Sequence, residues 1–128
     1  MNMAKLNNVS TLLGRSMIAI MFIMAGFSKI GGYAGTQGFM ESVGVPGLLL
    51  PAVIALELLG GIAVLLGYQT KIASLLLGGF TFLAAIIFHS DFGQQMQMIL
   101  FMKNIAISGA FLLLFVHGPG QWALNSNN

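Results

Sequence analysis

Four apolar blocks, at about 11–30, 48–67, 71–88 and 99–116, dominate the chain and limit what it can fold into. Each is close to the roughly 20 residues with which an α-helix, rising about 1.5 Å per residue, crosses a hydrocarbon core of about 30 Å. Lipid offers backbone groups no hydrogen-bond partner, so a span is either a helix or a strand of a closed barrel. Barrel strands alternate apolar and polar residues, and these blocks do not. Composition agrees: 57% of residues are hydrophobic and 6% charged, where soluble domains carry about 25% charged residues. Five basic and three acidic side chains cannot cover the surface of a soluble domain. The expected fold is all-α, a single transmembrane domain over residues 1–128 with four helices in an antiparallel bundle.

The connections differ in length. Tyr68–Thr70 reads as a tight turn and His89–Met98 as a longer loop, whereas GGYAGTQGFMESVGVPG joins the first two spans. This last stretch suits a short interfacial helix from about Ala34 to Val43, with Phe39, Met40 and Val43 toward lipid and Gln37, Glu41 and Ser42 toward water. Pro46 would stop it, and Pro51 falls in the first turn of the next span, where a missing N–H costs little. The first block is read as retained, because Arg15 interrupts it and no small-residue cleavage site follows. With the N-terminus in the cytoplasm, Lys5, Arg15 and Lys71 lie inside and Lys29 and Lys103 outside, so the basic residues favour two cytoplasmic termini. Trp122 would then anchor the tail at the inner interface.

The chain has no cysteine, which removes disulfides, thiolate metal sites and Fe–S ligation. A surplus of two positive charges is far from a nucleic-acid-binding cluster. His89 and His117 end successive antiparallel spans and so fall on opposite membrane faces, unable to share a metal ion. His89 reads as a loop residue, and Asp91 as part of a turn or the cap of a following helix. The nine methionines read as packing material, and no Walker, Rossmann, H-E-x-x-H or G-x-S-x-G pattern occurs.

The informative residues are the ionisable ones inside the spans, each costing about 2.5–3.5 kcal/mol to insert and so usually facing a bundle interior. Arg15 and Lys29 fall on one stripe of the first span with Ala19, Phe22 and Gly26. Glu57 shares its face with Gly60, Gly61 and Val64, small residues that admit a close neighbour. In the fourth span Lys103, Ile107 and Phe111 form one row and Asn104 and Ser108 the next. Depth counted from the block ends places Glu57 between Arg15 and Lys103, so the expected partner of Glu57 is one or both, with Arg15 favoured for its fork. Lys29, near an interface, suits an anchor that snorkels into water. Such a cluster either fixes helix register or lines a polar pocket made of Arg15, Lys29, Glu57, Lys103 and Asn104.

The segments LLGRSMIAIMFIMAGFSKIGGYAGT, MESVGVP, ALELLGGIAVLLGYQTK and FMKNIAISGAFLLLFVHGPG carry a resemblance to the DoxX family, from about Leu12 to Gly120. The matching features are Gly14–Arg15, then Phe22, Gly26 and Lys29, then Glu57, then Lys103–Asn104. The resemblance implies a small four-helix protein of the bacterial inner (cytoplasmic) membrane, from a family named after a subunit of an archaeal quinol-oxidising complex. It also implies a quinone-linked or redox-associated accessory subunit, with quinone as the cofactor and a redox complex as partner; the chain lacks the haem or copper ligands of an oxidase core. Two other readings stand beside it: a small-solute transporter or channel-like homo-oligomer, and a structural or assembly factor that binds no ligand. Membrane lipids are partners under all three.

Overall fold

In a computed structural model that describes residues 2–125, the chain forms five α-helices and one short 3₁₀ turn. They are α1 (Met3–Gly31), α2 (Tyr33–Ser42), the turn Gly47–Leu49, α3 (Leu50–Leu66), α4 (Thr70–Phe88) and α5 (Gln95–His117). The helices α1, α4 and α5, and the stretch Gly47–Leu66, are long and apolar enough to cross a membrane. The expected all-α architecture with four spans and a short intervening helix is present.

Local chemistry sets the boundaries. Asn2 caps α1 by accepting the Lys5 N–H at 2.8 Å, so this helix starts eight residues before the apolar block and leads into it from the polar side. Gly67, at φ 73°, closes α3 in a Schellman arrangement: its N–H donates to the Val64 carbonyl at 3.2 Å and the Tyr68 N–H to Ala63 at 2.8 Å. Pro51 stands in the first turn of α3, as its missing donor permits. Between α4 and α5 the loop is shorter than expected, because α5 recruits residues 95–98. Within that loop Asp91 accepts the Gly93 N–H at 3.3 Å, a turn contact.

Small residues fix the packing. A methyl group on Gly61 would lie 2.9 Å from Ile23 Cγ1 and 3.2 Å from the Ala19 carbonyl, so α1 and α3 touch nearly backbone to backbone. Gly60 faces Leu77 across the α3–α4 contact, and Gly78 faces Phe111 across α4–α5. The buried row of α1 is Arg15, Ala19, Phe22 and Gly26, and that of α3 includes Glu57, Gly61 and Val64. Ala19, Phe22, Val64, Ala73, Leu77 and Phe111 meet in the core. Large apolar side chains such as Leu59, Leu75, Leu83, Leu113 and Val116 point outward, as lipid rather than water would require.

Helix order around the bundle follows chain order. The extensive contacts are α1 with α3, α3 with α4 and α4 with α5. The two ends of this series, α1 and α5, are joined chiefly by an edge-to-face pair, Phe22 on Phe111, with centroids 5.4 Å apart.

Candidate functional site

The expected pair between Arg15 and Glu57 does not form. Arg15 is 4% exposed and spends its fork on backbone carbonyls: Nη1 donates to Pro119 at 2.6 Å, and Nη2 to Trp122 at 3.0 Å and Leu65 at 3.2 Å. The tail is thereby folded back over the end of α3 and the Arg15 turn of α1. Glycines at 118 and 120, with φ of 77° and 84°, make the reversal. The N–H groups of Leu124 and Asn125 then donate to the carbonyls of Leu66 and Gly67, both at 3.0 Å. Those carbonyls lie at the end of α3, where no further turn supplies donors. Arg15 is therefore a clasp for the terminal segment.

Glu57 instead pairs with Lys29, Nζ to Oε1 at 2.9 Å. The Glu57 side chain is 5% exposed and that of Lys29 28%. The contact is a close ion pair on a nearly buried carboxylate. Helix register explains the choice. Gly26 packs on Leu58 and Gly61 on Ile23, which brings the last turn of α1 beside Glu57. Arg15 meets α3 at Leu65, eight residues or about 12 Å further along the axis. Lys29 is thus no free anchor in water.

Beside this pair lies a cavity of about 340 Å³ between the α1–α3 and α4–α5 hairpins. Lys29, Glu57, Lys103 and Asn104 all line it, and Arg15 does not. Lys103 is exposed at its edge and has no ion-pair partner among the described residues. Thr81, also on the wall, is committed to its own helix, its hydroxyl donating to the Leu77 carbonyl at 2.7 Å. Most of the remaining wall is apolar or aromatic, including Phe22, Val53, Phe80 and Ile107.

Two cavity elements were not expected from the sequence. The short helix α2 turns Met40 into the bundle, nearly fully buried, and stacks Phe39 on Phe88 with ring centroids 5.4 Å apart. Both residues line the cavity with Thr36, so this face of α2 covers protein where lipid was expected. Gln37 secures the helix by donating to the Gly47 carbonyl at 3.1 Å. His89 also lines the cavity, its Nδ1 3.0 Å from Gln97 Oε1. The available signal was Phe39-Met40 and Phe88-His89, apolar and aromatic residues beside loops. Among the described residues no three His, Asp or Glu side chains gather to hold a metal ion.

Comparison with known proteins places this architecture. The chain is 50% identical over 123 residues to the inner membrane protein YqjF of Escherichia coli (strain K12), covering 96% of this chain and 95% of that protein. It is 36% identical over 124 residues to the inner membrane protein YphA of the same strain, covering 91% and 89%. Over 85 residues it is 38% identical to a Bacillus subtilis (strain 168) protein named "Putative oxidoreductase CatD", covering 66% of this chain and 63% of that one. No solved structure matches it. The DoxX family pattern matches residues 10–90, which include Arg15, Lys29 and Glu57 and stop before Lys103. With four membrane-spanning helices and inner-membrane relatives along nearly its whole length, the chain is a multi-pass inner membrane protein and belongs to the DoxX family.

Proposed function

We propose that the protein is a redox-associated accessory subunit that holds a quinone headgroup in the cavity lined by Lys29, Glu57, Lys103 and Asn104. The observation that carries this reading is the ion pair set into an otherwise apolar and aromatic wall. A volume of about 340 Å³ lies at the small end of ligand pockets, which run from about 300 to 1,000 Å³. A quinone presents two carbonyl acceptors at opposite edges of a flat ring, and when bound it would supply two-electron redox chemistry. The cavity offers donors from two helices, Lys29 from α1 and Lys103 with Asn104 from α5, and aromatic rings line the same wall. Glu57 holds the Lys29 ammonium in place, at 2.9 Å, for such a carbonyl. The name of the Bacillus subtilis relative points in the same redox direction. In this reading both termini lie in the cytoplasm.

Titration of the purified protein with a decyl-substituted benzoquinone tests the reading. Saturable binding that weakens by about tenfold or more in Lys103→Met, the loss of one charged hydrogen bond, is the expected result. Absence of saturable binding to the folded wild-type protein would refute it.

A further inference from the structure

We infer that the ligand of this cavity is a membrane amphiphile taken laterally from the bilayer, through an open seam between α1 and α5, with its tail left toward the lipid. The inference rests on the proposed ligand pocket and deepens it.

The seam follows from the packing order. Each helix of the series α1, α3, α4, α5 packs extensively on the next, but no comparable contact closes α5 back onto α1. Two features hold the seam shut toward the termini. One is the Phe22–Phe111 edge contact. The other is the Arg15 clasp, which ties the segment after α5 to the middle of α1 and the end of α3. Beyond Phe22 and Phe111 neither device continues, and that part of the seam carries the cavity wall: Ala25 and Lys29 on one side, Leu100, Asn104 and Ile107 on the other. Lys103 stands exposed there.

The placement of the basic residues on the two seam helices matches one leaflet of a membrane. Along α1 the lining runs from Met21 through Ala25 to Lys29, apolar to basic over eight residues or about 12 Å. Along α5 Ile107, Asn104 and Lys103 follow one another in the same spatial direction, with Leu100 one turn beyond them. Lys29 and Lys103 lie toward α2 and His89, in the half of the bundle opposite the termini, where Phe39, Met40 and Phe88 also line the cavity, and Phe22 and Ile107 lie deeper. An amphiphile in that leaflet has its head at the surface and its tail toward the bilayer centre, so it can move sideways into the cavity without turning over. Lys103 also gains a role. An unpaired cation beside lipid is costly, and at this edge it meets an acceptor-bearing or anionic head before Lys29 and Glu57 do. Covered by α2, through Phe39 on Phe88, the cavity favours a side route over one from the water above.

The chain is free of cysteine, so single thiols report position without background. Ala25→Cys and Ile107→Cys, on opposite walls of the seam, are reconstituted in liposomes beside Leu59→Cys on the lipid face and Leu77→Cys in the core. Each is reacted with a lipid-dissolved pyrene maleimide and with a charged methanethiosulfonate. Both seam thiols should follow Leu59→Cys, reacting on the order of a hundredfold faster with the lipid-dissolved reagent, as the cost of a charge in hydrocarbon implies. Either seam thiol as unreactive as Leu77→Cys would overturn the lateral route, and so would equal reaction with the charged reagent. Having two walls guards against a single misfolded variant. Protection by the decyl-benzoquinone is scored separately. Open seam thiols without protection leave the route standing and remove the quinone, whereas closed seam thiols remove the route whatever the quinone does.

Discussion

Replacing Arg15 with methionine should release the tail from the bundle and leave the Lys29–Glu57 region intact. The side chain makes three hydrogen bonds to the carbonyls of Pro119, Trp122 and Leu65, at 2.6, 3.0 and 3.2 Å. A hydrogen bond from a charged donor contributes about 1.5–3 kcal/mol, but methionine also relieves the cost of burying a guanidinium. Counting about 1 kcal/mol net for each bond gives a loss of about 3 kcal/mol, or roughly two decades in the equilibrium for tail opening. Trp122 is the only tryptophan and sits on the clasped segment, so intrinsic fluorescence reads this motion directly. The expected result is a red-shifted emission and stronger quenching by acrylamide at temperatures where the helical circular dichroism is unchanged. Lysine at this position keeps the charge but not the fork, and should fall between the two. Because the clasp is about 12 Å along α3 from Glu57, the losses in Arg15→Met and Glu57→Gln should add to within about 0.5 kcal/mol. Wild-type quenching in Arg15→Met, or a strongly non-additive double variant, would refute the clasp.

The Lys29–Glu57 pair should respond asymmetrically. Lys29→Met leaves a nearly buried carboxylate without its cation and should cost about 3 kcal/mol in detergent unfolding, whereas Glu57→Gln leaves a lysine that reaches water and should cost less. Combining the two should recover part of the first loss; a double variant no more stable than Lys29→Met alone would contradict this account. Gly61→Leu should separate α1 from α3, since even a methyl group would meet Ile23 and the Ala19 carbonyl. A loss of about 2–3 kcal/mol is expected from such overpacking, read as a lower unfolding midpoint, and an unchanged midpoint would show that the helix contact is not close.

What could be read from the chain divides at the level of helix register. Hydropathy and length place the spans, because lipid demands internal backbone hydrogen bonds and about 20 apolar residues suffice. The 3.6-residue period then finds the inward rows, Arg15–Ala19–Phe22–Gly26 and Glu57–Gly61–Val64, since burial follows the helix face. Which charge meets which is set by relative sliding, and a block of apolar residues marks its own ends poorly: α1 starts at Met3 and α3 at Leu50. Counting from the bundle end that α1 and α3 share corrects the pairing. Lys29 is two residues from the end of α1 and Glu57 seven from the start of α3, an offset of five residues or about 7.5 Å that a lysine stem covers. The fate of Arg15 is less accessible, because its acceptors are main-chain carbonyls, which every residue owns and no pattern distinguishes. The nearest signal is Gly118-Pro119-Gly120, a chain reversal after a span, which implies a returning backbone with carbonyls to satisfy. Two basic residues on one stripe of α1 thus do unrelated work: Arg15, near the middle of the helix, holds the tail, and Lys29, in its last turn, faces the cavity. Their shared face says only that both point inward, and depth decides the rest.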